Sequence, residues 1–132
     1  MRREEYRVEG MSVPLSHYAD AVRAGDLLFV SGCVPVDGEG KLVGGDDITA
    51  QTEKVFENIG LVLAAAGASA ADVVKVTVFV TDMADRAAIN EVRKRFFGEA
   101  RPASTLVEIS ALAIPGAKVE IEAVAVLPSS PT

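Results

Sequence analysis

The sequence predicts an α+β fold, one mixed sheet carrying two helices on a single face. Three observations predict it. Residues 48–66 repeat apolar side chains at helical spacing between a capping acid and a glycine, and residues 73–80 are β-branched almost throughout. Residues 118–127 alternate in a way that defines the two faces of a strand. At 132 residues the chain is expected to form one domain, 1–132, with an N-terminal arm at 1–15 and a tail at 128–132. A domain of that size buries roughly two thirds of its unfolded surface.

In chain order, residues 1–18 are polar and irregular, with a short strand expected near Tyr6 to Val8 and with His17 and Tyr18 closing the arm. Asp20 to Val22, the turn Ala24-Gly25-Asp26 and the run Leu27 to Val30 read as a strand, a tight turn and a second strand that is apolar on both sides. That strand is expected to stop at the small residues Ser31-Gly32-Cys33. The Gly- and Asp-rich stretch Val36 to Asp47 reads as a flexible connection, since it lacks the motif order of a calcium or phosphate loop.

A helix from Ile48 to Ala66 follows, with Asp47 as N-cap and Gly67 as stop, turning Thr52, Val55, Ile59, Val62 and Leu63 inward. Val73 to Val80 is expected to be a central strand. A second helix from Arg86 to Phe97 is capped near Asp85, stopped by Gly98, and faces inward through Ile89, Val92 and Phe96, with Asn90 one step off that stripe. The last two strands are expected around Ser104 to Ile109 and Lys118 to Leu127, joined through a turn at Pro115-Gly116. In the final strand Val119, Ile121, Ala123, Ala125 and Leu127 form a core face. Glu120, Glu122, Val124 and Val126 share the other, and with Glu108 on the neighbouring strand the acids are expected to meet on one surface.

Composition removes whole classes of function. A hydrophobic content of 49% with no Trp implies an aliphatic core. A net charge of −6 offers no cationic surface on which nucleic-acid counterions could be released, so no nucleic-acid partner is expected. No apolar run has the 18 or more residues of a membrane span, so no membrane partner is expected either. The lone Cys33 excludes an intramolecular disulfide and fits a cytoplasmic protein. With His17 as the one histidine, neither a histidine metal site nor a Ser-His-Asp triad can be built. The sheet face opposite the helices, carrying Leu28, Val30, Val124 and Val126 in this reading, is too apolar to face water, which points to copies of the chain packed sheet to sheet.

Several segments together resemble one family. They are Ser31 to Pro35 (SGCVP), the AAAG closing the first helix, Val73 to Met83 (VVKVTVFVTDM), Asn90, Arg101 to Ile109 (RPASTLVEI) and Lys118 to Val126 (KVEIEAVAV). Over about Ser16 to Val126 the chain is similar to the Rid family of imine and enamine deaminases, also called YjgF/YER057c/UK114 and, in older usage, endoribonuclease L-PSP. The resemblance implies a chorismate-mutase-like protomer with a mixed six-stranded sheet, a homotrimer with three sites between subunits, and hydrolysis of reactive imines or enamines without metal or organic cofactor.

By motif position it implies that Glu120 orients the attacking water and Tyr18 lines the cleft from the arm. Ser31, Gly32 and Cys33 would bound the pocket, and Asn90 would reach in from the second helix. Family deaminases carry Pro-Ala-Arg-Ser, whose Arg clamps the substrate carboxylate. Here Ser104 and Thr105 stand at the Arg and Ser positions, and Arg101 is the nearest cation in sequence. Losing one member of a desolvated charge pair costs about 2–5 kcal/mol. Three readings follow: an imine or enamine deaminase with an altered substrate, a non-catalytic trimer that binds a small metabolite, and, least favoured, a ribonuclease or translation inhibitor.

Overall fold

The computed structural model describes residues 1–128, so the expected tail lies outside the described residues from position 129 onward. Its elements are β1 (Arg3–Tyr6), β2 (Ala21–Ala24), β3 (Leu27–Cys33), α1 (Ile48–Ala65), β4 (Val73–Val80), α2 (Arg86–Phe97), β5 (Ala103–Glu108) and β6 (Val119–Val126). The six strands make one mixed sheet in the order β1-β2-β3-β6-β4-β5, antiparallel except where β4 meets β5. The α+β class and the six-stranded sheet with two helices are as the sequence implies. The arm strand lies three residues earlier than Tyr6 to Val8, because Arg3 to Tyr6 pair with Ala24 to Ala21.

The strand order corrects one expectation. β5 and β6 are not neighbours joined by a hairpin, since β6 sits between β3 and β4 while β5 lies at the sheet edge beside β4. The cause is α2. A strand that leaves through a helix and returns makes a parallel crossover, and β4-α2-β5 is such a unit. The largely exposed residues of β5 suit an edge, whereas Val119, Ile121 and Ala125, all fully buried, suit the centre. Glu108 therefore does not share a surface with Glu120 and Glu122. It pairs with the fully buried Val80 on the helix-covered side, and its carboxylate accepts from the Met83 N–H at 2.8 Å.

α1 begins where expected. Asp47 accepts from the amides of Thr49 (2.9 Å) and Ala50 (3.4 Å), and Gly67 takes φ +78° just past the end. Two polar residues are buried beside its apolar stripe. Gln51 donates to the carbonyls of Gly45 (2.6 Å) and Gly116 (3.0 Å) and accepts from the Lys118 amide (2.8 Å), tying the loop before α1 to the turn before β6. Asn58 donates to the carbonyls of Val34 and Val36, both at 3.0 Å, and so fastens the chain leaving β3 onto the helix.

In α2, Ile89 and Val92 are buried as expected, but the third inward position belongs to Phe97. Phe96 is half-buried and stacks on Phe56 at 4.8 Å, with Phe97 edge-on to both rings. Asp85 stands at the N-cap without a capping hydrogen bond. Asp82 instead caps the short turn Met83–Asp85 that leads into α2, accepting from the Ala84 amide at 2.9 Å.

The sheet face away from the helices remains apolar and open. Leu27, Phe29, Val74 and Val126 are 39–46% exposed on it. The structure thus differs from the sequence-based placement, because Leu28 is fully buried and Val30 nearly so beneath the helices, and it is Leu27 and Phe29 that look outward. Among the described residues no helix is long and apolar enough to cross a membrane.

Candidate functional site

The strand β3 does not stop at Ser31-Gly32-Cys33. It continues through a bulge. Val30 pairs with Ala123 and Cys33 with Ile121, so Ser31 and Gly32 together stand opposite the single residue Glu122, and Cys33 returns to the buried face. Ser31 and Gly32 are thereby turned toward the open face, where Glu120 projects from β6. Small residues at a bulge let another group approach the backbone, and here that group is the Glu120 carboxyl. A Cβ built on Gly32 would overlap Glu120 Oε2 and stand 2.8 Å from its Cδ.

A cleft of about 450 Å³ opens at this point. Tyr18 and Ser16 of the arm, Ser31 and Gly32 of the bulge, Ile114 of the loop before β6, and Glu120 with Glu122 line it. The arm is held down by buried Asp20, which accepts from Arg7 (2.8 Å) and from the Val8 amide (2.7 Å). Ser31 adds a second tie by donating to the Ala19 carbonyl at 2.6 Å. Tyr18 stays 48% exposed with its hydroxyl accepting from the Leu15 amide at 3.3 Å, so its ring lies at the cleft rim.

Glu120 is half-buried and makes no hydrogen bond among the described residues. Its pKa is raised above the usual carboxylate range, first by desolvation and second by the negative charge of Glu122. An unpartnered carboxyl beside backbone and hydroxyl groups can accept a proton from a bound water and return it to a leaving group. Cys33 behaves differently. Burial, with smaller contributions from Asp20 and Glu120, pushes its thiol up to about 12, and the thiol donates to the Ser31 carbonyl at 3.5 Å. It lies behind the cleft wall as a neutral packing group.

The remaining candidates are elsewhere. Asn90 is exposed on α2 and lines a separate concavity of about 670 Å³ with Arg86, Arg93, Met83 and Leu106. Ser104 is exposed on edge strand β5, one strand period from Leu106. Thr105 points to the opposite side, where its hydroxyl accepts from Lys75 Nζ at 2.7 Å. Arg101 is exposed ahead of β5 and borders neither cleft. The structure of one chain therefore divides the candidate residues into two groups. Tyr18, Ser31, Gly32 and Glu120 meet in one cleft, and Asn90 and the helix-facing side of β5 belong to the other. Glu122 was read in the sequence only as an acid sharing the strand face of Glu120, and Arg93 was not read as a site residue although it shares a helix face with Asn90. No group of three or more His, Cys, Asp and Glu side chains able to hold a metal is found among the described residues.

A match to the family described as Endoribonuclease L-PSP spans residues 11–127, covering both clefts. The chain belongs to this family. It is 44% identical over 126 residues to a RutC family protein of Pyrococcus abyssi, covering 95% of this chain and 98% of the relative. It is 39% identical over 125 residues to the 3-aminoacrylate deaminase RutC of Acinetobacter baylyi, again covering 95% and 98%. Among solved structures, TdcF of E. coli with bound serine superimposes with a TM-score of 0.85 at 35% identity, over 94% of this chain and all of that one. These likenesses bear out the resemblance to the Rid and L-PSP proteins and the fold it implies. They also establish that this family includes named deaminases and a protein that binds an amino acid.

Proposed function

We propose that the protein is a cofactor-independent deaminase that hydrolyses a reactive imine or enamine metabolite to a carbonyl compound and ammonia. The observation that carries this reading is the unpartnered, half-buried Glu120 carboxyl seated over Gly32 in a cleft of metabolite size. In the reaction, water adds to the carbon of the protonated C=N bond while Glu120 accepts one of its protons. The resulting carbinolamine collapses as Glu120 returns that proton to nitrogen, the C–N bond breaks while the C=O bond forms, the hydroxyl proton passes to Glu120 or solvent, and ammonia leaves. An enamine enters the same path once its carbon is protonated. Ser31 and the Gly32 backbone flank the reacting atoms, and Tyr18 closes the arm side.

The separation of Asn90 and β5 from Glu120 within one chain supports a site completed by a second copy. The open apolar face bearing Phe29 and Val126 supplies a surface for the homotrimer we propose. A chain sedimenting as a monomer at micromolar concentration, or a Phe29→Glu variant that leaves the assembly unchanged, would remove this part of the reading.

Ser104 favours a second reading, a trimer that binds a metabolite without turning it over, because a serine cannot supply the charge that the family Arg does. A ribonuclease role has little support from a net charge of −6 and a single histidine exposed on the arm. The deciding experiment generates an imino acid with an amino-acid oxidase and follows its decay with and without the protein. Faster decay that disappears in Glu120→Gln is expected. Decay unaffected by the wild-type protein, with a metabolite retained equally by Glu120→Gln, would establish the binding-only role.

A further inference from the structure

Arg93 is half-buried in the concavity beside Asn90, and among the described residues it makes neither an ion pair nor a hydrogen bond. Its neighbours in sequence are engaged. Lys94 pairs with Glu91 at 3.1 Å and Arg95 with Glu53 at 3.4 Å. Removing a guanidinium from water without giving it an anion is unfavourable, and desolvation lowers the Arg93 pKa accordingly. Arg86 faces the same concavity and is likewise unpaired, and no acidic side chain lines the space, although the chain as a whole carries 19 acids against 13 bases. Arg86, Asn90 and Arg93 follow one another at steps of four and three, so one face of α2 presents them together. The opposite wall is Leu106, about 7 Å along β5 from Ser104.

We propose that Arg93, assisted by Arg86 and the Asn90 amide, grips the carboxylate of an anionic imine or enamine substrate, providing from α2 the charge that position 104 lacks. This inference rests on the deaminase reading for the identity of the substrate and on the geometry of α2 for the binding group. A planar guanidinium holds a carboxylate through two parallel hydrogen bonds. Asn90 adds a neutral donor beside it.

The test is calorimetric titration with 2-oxobutanoate, a stable keto acid of the product class, alongside uncharged 2-butanone. Wild-type protein is expected to bind the acid and ignore the ketone. Arg93→Met, which keeps the aliphatic stem over the helix, is expected to weaken binding at least about tenfold, the scale of a lost hydrogen bond to a charged group. Arg93→Lys is expected to fall between the two, and Arg95→Met to bind like wild type. No measurable binding of the acid, equal binding of acid and ketone, or wild-type affinity in Arg93→Met with an unchanged melting temperature each overturns the proposal. The two readings separate cleanly. Arg93-dependent binding without imine hydrolysis removes the deaminase and keeps the anion site, whereas hydrolysis indifferent to Arg93→Met does the reverse.

Discussion

Replacing Gly32 by Ala isolates the geometry of Glu120 from the stability of the fold. The new methyl carbon would overlap the Glu120 carboxyl, standing 2.8 Å from Cδ and 3.1 Å from Cγ. Carbon atoms rest at about 3.5–4.0 Å, so the carboxyl group must retreat by about 0.7 Å or more. Gly32 does not have a positive φ, and the atoms it would meet end a flexible side chain, so neither backbone strain nor core disruption follows. Stability should change by less than about 1 kcal/mol, with the lost chain entropy of glycine working in favour of the variant. A displacement near 1 Å costs a positioned catalytic group on the order of 100-fold. The expected result is a fall in kcat/KM of roughly 10- to 100-fold for imine hydrolysis, with an unchanged melting curve. Adding Glu120→Asp, shorter by one methylene, should recover part of the loss, and the double-mutant cycle measures that coupling. Full activity in Gly32→Ala, or equal losses without coupling, would refute the reasoning.

Four further outcomes are expected. Because the Glu120 pKa is raised, its carboxylate form is lost at higher pH than for an ordinary Glu, so the acidic limb of the wild-type rate profile should lie at higher pH than an ordinary Glu would give and move to lower pH in Glu122→Gln, which removes the neighbouring negative charge. The same shift makes the folded state bind more protons than the unfolded one between the two pKa values. Stability therefore falls as pH rises through that window, and Glu120→Gln should melt higher than wild type at neutral pH while being inactive, as differential scanning calorimetry can check. Introducing Ser104→Arg into the Arg93→Met background should restore 2-oxobutanoate affinity by about tenfold, because the cation returns on the neighbouring strand; no recovery in calorimetry would separate the two positions. Gln51→Leu leaves the Gly45 and Gly116 carbonyls and the Lys118 amide without their partner, and is expected to cost about 3 kcal/mol in urea unfolding, with no change if water replaces all three bonds.

Much of the fold could be read in the sequence because the signals were local. Asp47 and Gly67 bracket α1, and alternation from Val119 to Leu127 separates the buried face of β6 from the face bearing Glu120. Strand order was not local. Periodicity records which face of a strand is covered, but not which strand lies beside it, and the position of β6 between β3 and β4 is decided by the crossover through α2. The bulge was hidden for a related reason: Ser31-Gly32 reads equally as a strand end, and only pairing of Cys33 with Ile121 reveals that the strand goes on. Gln51 and Asn58 are silent in an apolar pattern although both are buried. In the sequence Arg93 is one member of the run Arg93-Lys94-Arg95, and what distinguishes it is the absence of an acid lining the space it faces.

The position of β6 also governs the order in which the chain can become a protein. It is the last of the six strands to leave the ribosome, yet it fills the middle of the sheet. Until it arrives, β1-β2-β3 and β4-β5 are two half-sheets, and each carries an open apolar edge, β3 or β4, of the kind that pairs with foreign strands. Glu120 arrives with it, so the cleft cannot exist on a nascent chain. A polypeptide halted before Lys118 would have neither a closed sheet nor an active carboxylate, and its unpaired edges would make it a substrate for chaperones.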